Sequence, residues 1–144
     1  MRIVLDSNIL VRSFIKSRGL AHELLLTILA SEHSLILSNE MLVEVARVLR
    51  YPRLATVHGQ SEEAIYNFTG WLRDAAELTV LNPLTRAPIR DCNDILVLQT
   101  ALSGEADVLC TGDRDFFEPP ASVFLASVGI AVLTDAQLVR KLEA

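Results

Sequence analysis

The sequence predicts an α/β fold in which helices cover both faces of a central parallel sheet. Candidate strands and helices alternate along most of the 144 residues. The candidate strands are short and apolar throughout, which is typical of strands that are buried on both faces of a parallel sheet. No repeat, low-complexity segment or linker interrupts the chain, and its length suits an ordinary domain. We therefore expect residues 1–144 to form a single domain.

Strands are predicted where short apolar runs end at polar or turn-forming residues. These runs cover residues 2–5, 34–37, 77–81, 107–110 and 129–133. The first run is rich in β-branched residues and ends abruptly at Asp6. The order of the runs, each separated from the next by helical sequence, favours parallel pairing.

Helices are predicted between the strands from apolar residues at helical spacing and from capping residues. They cover about residues 8–15, 20–31, 39–50, 62–76, 94–103 and 135–142. Ser61 and Thr134 are predicted N-caps, Ser38 or Asn39 caps the third helix, and Tyr51-Pro52 ends it. Residues 82–90 contain two prolines and are predicted to form a loop, whereas residues 113–127 show no clear pattern.

The composition excludes several classes of protein. With 51% hydrophobic and 22% charged residues, the chain is not intrinsically disordered. A net charge of -5 argues against a broad basic surface for nucleic acid, although it leaves nucleic acid open as a substrate. No run approaches the ~18 apolar residues of a membrane span, and the N-terminus lacks the apolar region of a signal peptide. We predict a cytoplasmic protein with no membrane partner, in which Cys110 is a small core residue.

Acidic residues collect where the predicted strands end. Asp6 follows the first strand, Asp113 and Asp115 follow the fourth, and Asp94 lies at the start of a helix. Because ligands bind at the carboxyl ends of parallel strands, we expect these acids to lie near one another. Each has a structural explanation by itself, as a helix cap or a turn residue. Together they favour a functional site.

Glu44 is a fourth candidate acid, on the predicted third helix. It lies at the border of the core-facing stripe that includes Met41 and Val48. A carboxylate there must be paired. It could pair with Arg47 one turn later, or it could point into the acidic pocket, and the helix pattern leaves both interpretations open.

Clustered carboxylates stay ionised when cations neutralise them. Oxygen ligands suit Mg²⁺ or Mn²⁺ rather than Zn²⁺, and such sites serve phosphodiester hydrolysis. The three histidines, His22, His33 and His58, are scattered and form no zinc-binding pattern.

The motifs resemble those of PIN domains, and in particular the VapC-like ribonucleases, the toxins of prokaryotic toxin–antitoxin pairs. The resemblance rests on the opening run that contains Asp6 and Asn8, on Glu44, on residues 91–94, and on residues 111–115. It covers essentially the whole chain. It implies a three-layer αβα fold with a central parallel sheet, and a Mg²⁺- or Mn²⁺-dependent endoribonuclease that acts on RNA and pairs with an antitoxin protein.

The resemblance also implies roles for single residues. The catalytic, metal-binding carboxylates would be Asp6, Glu44, Asp94 and Asp113, and Asp115 would be an accessory metal-binding acid. Asn8 and Thr111 would orient these carboxylates. Relatives often have Asp-Pro-Asp-Asp where this chain has Asp91-Cys92-Asn93-Asp94, so a rigid proline and one charge are missing.

The sequence assigns no RNA-binding residue. Lysine and arginine candidates for an RNA groove are Arg12, Lys16, Arg18, Arg90 and Arg114. In relatives, apolar helices form a dimer interface and an antitoxin groove, which leaves a homodimer open here.

Other classes fit less well. A receiver-like domain would have paired acids early in the chain and a late lysine after a strand, and a dehalogenase-like phosphatase would have an acid at position 8 instead of Asn8. A dinucleotide-binding domain would have a glycine-rich first turn. The remaining alternative is a PIN fold that binds RNA or a protein without cutting, which Asn93 keeps open.

Overall fold

A parallel sheet forms the centre of the molecule, with strand order β3-β2-β1-β4-β5. The computed structural model describes residues 1–82 and 92–144, without the side chains of residues 92–94. The strands are β1 (Arg2–Leu5), β2 (Ser34–Leu37), β3 (Glu77–Leu78), β4 (Val108–Cys110) and β5 (Ala131–Leu133). All four neighbouring pairs are parallel, with Ile3 opposite both Leu35 and Val108. The predicted α/β class is confirmed.

Helices connect the strands in chain order. They are α1 (Ser7–Ile15), α2 (Leu20–Leu29), α3 (Asn39–Leu49), α4 (Pro52–His58), α5 (Glu62–Ala75), α6 (Cys92–Ser103), α7 (Ala121–Ser127) and α8 (Asp135–Glu143). A short 3₁₀ helix covers Arg114–Phe117. The predicted caps are confirmed, because Ser38, Ser61 and Thr134 accept backbone hydrogen bonds at the starts of α3, α5 and α8.

The helices form two layers around the sheet. On one side α1 packs against α2 and α3, α3 packs against α5, and α2 packs against α8. On the other side α6 packs against β1 and β2, and α7 packs against β5. This division follows from right-handed crossovers, because the chain moves outward from β1 to β3 and then returns past β1 to β4. The architecture is therefore the expected three-layer αβα arrangement.

The strands of the sheet centre are buried on both faces. The side chains of Ile3, Ile36 and Leu109 are 0% exposed, so their burial contributes about 1.5–3 kcal/mol each. Cys110 is also fully buried, and burial raises the pKa of its thiol to about 12. It is a core residue, as the sequence predicts. None of the helices in the described part of the chain is long and apolar enough to cross a membrane.

Several predicted boundaries need correction. The third strand ends at Leu78 instead of residue 81, and the fifth begins at Ala131 instead of residue 129. The second helix ends at Leu29, two residues before its predicted end. The sequence pattern predicted neither α4 nor α7. The predicted loop at 82–90 lies outside the described residues except at position 82.

Candidate active site at the carboxyl edge of the sheet

The direction in which the chain adds strands to the sheet reverses between β1 and β4. These two strands are neighbours although most of the chain lies between them. From β1 the chain enters the α1 layer, and from β4 it enters the α7 layer. The two connections therefore diverge and leave a crevice beyond the strand ends. This is the place where open α/β sheets bind ligands.

Asp6 lies at the bottom of this crevice and is 4% exposed. Its backbone amide donates to the carbonyl of Cys110 at 2.9 Å, which continues the β1–β4 pairing by one residue. Its carboxylate accepts hydrogen bonds from the Thr111 hydroxyl at 2.7 Å and the Ser7 hydroxyl at 3.3 Å. Burial raises the pKa of Asp6 above its ordinary value, the backbone amide of Asn8 and these hydroxyls lower it in part, and the charge of Asp113 raises it further.

Thr111 connects the two acids of the crevice. Its hydroxyl donates to Asp6 Oδ2 and accepts from the backbone amide of Asp113 at 3.0 Å. The Asp113 carboxylate in turn accepts from the backbone amide of Asp115 at 2.9 Å and caps the 3₁₀ helix. Thr111 is fully buried, whereas Asp115 is exposed. Thr111 therefore contacts Asp6, the carboxylate that it is expected to orient, and its role stays a prediction.

An open pocket of about 400 Å³ lies over these acids. Its described lining consists of Asp6, Asn8, Arg12, Gly112 and Asp113. Four of the residues singled out from the sequence, Asp6, Asn8, Arg12 and Asp113, therefore share one pocket. Asp115 and Glu44 are not part of this lining.

Arg12 links the pocket to the start of α8, the helix that follows β5. Its Nη2 lies 3.3 Å from Oδ2 of Asp135, in the first turn of α8. Asp135 lies two residues after the end of β5, so the rule that ligands bind at the carboxyl ends of strands could have identified it from the sequence. The sequence pattern indicated only the neighbouring Thr134, as a helix cap.

Glu44 makes the ion pair that the sequence left as one of two interpretations. Both of its carboxylate oxygens lie 2.7 Å from Nη2 of Arg47. The Glu44 side chain is 11% exposed and that of Arg47 is 49% exposed, so Arg47 reaches outward from the pair. Arg47 also contacts the hydroxyl and the ring of Tyr51.

Asp94 lies in the first turn of α6, and its side chain is outside the described part of the structure. A chain of buried hydroxyls fixes α6 against the start of α3. Ser38 accepts from the amide of Met41 and lies 2.8 Å from the Thr100 hydroxyl, which donates to the Leu96 carbonyl at 2.7 Å. Thr100 is therefore at the carboxyl edge of the sheet. The backbone of Asp94, six residues earlier, lies about 9 Å away along the helix axis, toward the N-terminus of α6.

The atoms of this pocket that could bind a metal ion are oxygens. Carboxylates of Asp6 and Asp113 and the amide of Asn8 suit Mg²⁺ or Mn²⁺, and Mg²⁺ commonly uses one or two carboxylates together with water and substrate phosphates. Among the residues that the structure describes, no group of three histidine, cysteine, aspartate or glutamate side chains could hold a metal ion. The residues present thus fit an oxygen-bound, water-rich divalent cation rather than a fully enclosed one.

The fold and this site define a known class. The family model of the PIN domain matches residues 2–115, so the chain belongs to the PIN domain family. The fold is also similar to a chain in the crystal structure of VapBC2 from Rickettsia felis bound to a DNA fragment from their promoter. The TM-score is 0.63 at 15% identity, over 93% of this chain and 98% of that one. A comparison with curated proteins gives no match.

Proposed function

We propose that this PIN domain is a Mg²⁺- or Mn²⁺-dependent endoribonuclease, the toxin of a toxin–antitoxin pair. The observation that carries the proposal is that two carboxylates, Asp6 and Asp113, share a pocket beyond the ends of the neighbouring strands β1 and β4. Membership in the PIN domain family supports nuclease chemistry at this place.

In this proposal Asp6 and Asp113 hold the cation together with Asp94 and Glu44, and Asp115 is an accessory ligand. A divalent cation bound there would polarise the scissile phosphate, activate a water molecule and stabilise the departing oxygen. Thr111 keeps the Asp6 carboxylate in one orientation, and Asn8 offers an amide on the same pocket. The burial of Asp6 shields its charge from water, which strengthens its attraction for a cation.

The proposed partners are an RNA substrate and a cognate antitoxin protein. The similarity in fold to a chain of a VapBC2 complex supports the antitoxin. We further propose that the protein acts in the cytoplasm, where RNA and an antitoxin would both be present. A homodimer is compatible with this assignment.

The second candidate is a PIN fold that binds RNA or a protein without cutting. The ion pair of Glu44 with Arg47 favours this candidate, because it occupies a carboxylate that the nuclease proposal requires. Asn93, in place of the acid found in relatives, points the same way.

An RNA cleavage assay separates the two candidates. We expect the purified protein to cut a labelled single-stranded RNA with Mn²⁺ or Mg²⁺, and to leave it intact with EDTA. A single-stranded DNA of the same sequence tests the choice of RNA. Equal cleavage in EDTA would exclude the metal-dependent mechanism, and intact RNA under every metal together with measurable RNA binding would establish the non-cutting candidate.

A matched pair of variants tests the role of Glu44. If Glu44 is a metal ligand, Glu44→Gln should lower the cleavage rate by at least about 100-fold, since even residues that only support a ligand cost about 10–100-fold. Arg47→Gln removes the same ion pair but no ligand, and should change the rate by less than about threefold, because ion pairs with an exposed partner contribute little. Equal, small effects in both variants would show that Glu44 serves only the ion pair.

A further inference from the structure

One positively charged side chain lies at the pocket over Asp6 and Asp113, and the proposed reaction gives it no role. Of the described residues that line this pocket, Arg12 is the only one with a positive charge. Arg114 follows Asp113 directly in the sequence but is not among these lining residues. The geometry thus distinguishes one arginine from the candidates that the sequence left equal.

Asp135 holds Arg12 through a single contact. The pair joins Nη2 of Arg12 to Oδ2 of Asp135 at 3.3 Å, with 51% of the arginine side chain and 21% of the aspartate side chain exposed. The other carboxylate oxygen of Asp135 accepts from the amide of Ala136 at 2.8 Å, so Asp135 is fixed at the start of α8. A guanidinium has five N–H donors, and the described residues accept only this one hydrogen bond from Arg12. Most of its donors face no described acceptor.

A structural explanation of the pair is weak. Exposed ion pairs contribute little to stability, and α8 packs mainly against α2 and β5 rather than against α1, the helix that contains Arg12. By contrast, a positively charged side chain at this pocket has a direct use in binding the RNA substrate. Asp6 and Asp113 repel a phosphodiester, and a guanidinium fork binds two phosphate oxygens at once.

We propose that Arg12 is the residue that binds an RNA phosphate at this site, with Asp135 as the positioning residue that keeps its guanidinium at the pocket. This inference rests on the proposed function, because it assigns a substrate contact at the same pocket. The phosphate contacted is one that lies beside the carboxylates, so Arg12 offsets their repulsion during binding.

The experiment compares Arg12→Ala and Arg12→Lys with Arg73→Ala, which removes an exposed arginine of α5 that does not line the pocket. Each change is made in the active protein, for KM and kcat with Mn²⁺. It is also made in the Asp6→Asn background, for binding of a fluorescein-labelled single-stranded RNA in EDTA at several salt concentrations. Circular dichroism and thermal melting verify that each variant is folded.

We expect Arg12→Ala to raise KM and weaken RNA binding by about tenfold, as for one good phosphate contact. The dependence of log K on log salt should become shallower by about 0.7, the value for one phosphate of a single strand. Arg12→Lys should recover part of the binding and all of the salt dependence, because it keeps the charge without the fork. Asp135→Asn should raise KM by about threefold with little change in stability, because Arg12 keeps its charge but is no longer held at the pocket.

The outcomes separate this inference from the proposed function. If the wild type cuts RNA but Arg12→Ala matches Arg73→Ala in KM, binding and salt dependence, Arg12 is not the phosphate contact and the nuclease assignment stands. If the wild type cuts no RNA with any metal, yet Arg12→Ala weakens RNA binding as expected, the nuclease assignment fails and the contact stands. If Arg12→Ala does not fold, RNA binding in Arg12→Lys equal to that of the wild type, together with a loss of stability and an unchanged KM in Asp135→Asn, would overturn the proposal in favour of a structural pair.

Discussion

Replacing Asp6 with asparagine is expected to abolish RNA cleavage and to raise the melting temperature of the metal-free protein. The loss of an essential charged group should lower the cleavage rate by on the order of 10⁴-fold. The gain in stability follows from burial, because Asp6 is 4% exposed and its charge is not solvated in the folded state. Asparagine keeps an oxygen that accepts from Thr111, so the hydrogen bond is retained without the charge.

The pH dependence gives this prediction a second readout. Because the pKa of Asp6 is raised above the ordinary value of 3.8, the folded protein binds its proton more tightly than the unfolded chain. The contribution of Asp6 to stability is therefore fully present below 3.8 and is lost as the pH rises through the higher folded-state pKa. Asp6→Asn should lack this loss, so the stability difference between variant and wild type should grow over that interval.

Chemical unfolding of both proteins between pH 3 and pH 8 measures the difference, with Asp74→Asn as the control. Asp74 is an exposed acid of α5, so its removal should leave both activity and the pH curve nearly unchanged. A variant at Asp6 that loses stability at every pH, in the absence of metal, would show that the carboxylate stabilises the fold and contradict its assignment as a site residue whose buried charge destabilises it.

The second large effect is expected at Phe116, which anchors the turn after Asp113. Phe116 is fully buried in the 3₁₀ helix, and its amide donates to the Asp113 carbonyl at 3.3 Å. Truncation to alanine should lower the free energy of unfolding by about 3–5 kcal/mol, the usual cost of a large cavity. That is a large part of the ~5–15 kcal/mol that stabilises a typical domain.

Phe117→Ala is the matched control, because Phe117 is the next residue of the same short helix and is 38% exposed. It should cost less than about 1 kcal/mol, and urea unfolding of the two variants compares them directly. Similar losses in both variants would mean that the turn does not depend on the anchor that we assign to Phe116.

Some elements could be predicted because their local pattern agrees with their environment. The first two strands, Arg2–Leu5 and Ser34–Leu37, have the predicted bounds, since each apolar run ends at a polar residue that precedes a helix. The sequence also identified Ser61 and Thr134 as caps, because a hydroxyl before a helix has a local partner.

Other elements had no such pattern. None of the residues of α4 is buried, so the helix has no apolar stripe, and Pro52 ends α3 and also occupies the first turn of α4. The N-cap of α7 is Pro120, whose side chain cannot cap it, and its buried residues are only Ala121 and Leu125. Among the described residues the edge strand β3 pairs with β2 alone, and it includes just the first two positions of the apolar run that suggested residues 77–81.

The candidate site divides in the same way. Asp6, Thr111 and Asp113 could be expected near one another because they come after predicted strands at their carboxyl ends, whereas the pairing of those two strands is known only from the structure. Helix periodicity places Glu44 at the border of the core-facing stripe of α3. Whether its carboxylate pairs with Arg47 or points into the pocket depends on side-chain geometry that sequence spacing does not determine. Arg12 and Asp135 lie 123 positions apart in the sequence, so no local pattern predicts their contact.

Direct measurement of Mn²⁺ binding tests the central claim, that the acids at this edge of the sheet hold a divalent cation. Isothermal titration calorimetry of the metal-free protein is compared with Asp6→Asn, Asp113→Asn and the control Asp74→Asn. We expect Mn²⁺ to bind the wild type and the control equally, and to bind each site variant at least about tenfold more weakly. Equal Mn²⁺ affinity in all four proteins, or no binding to the wild type, would contradict the account.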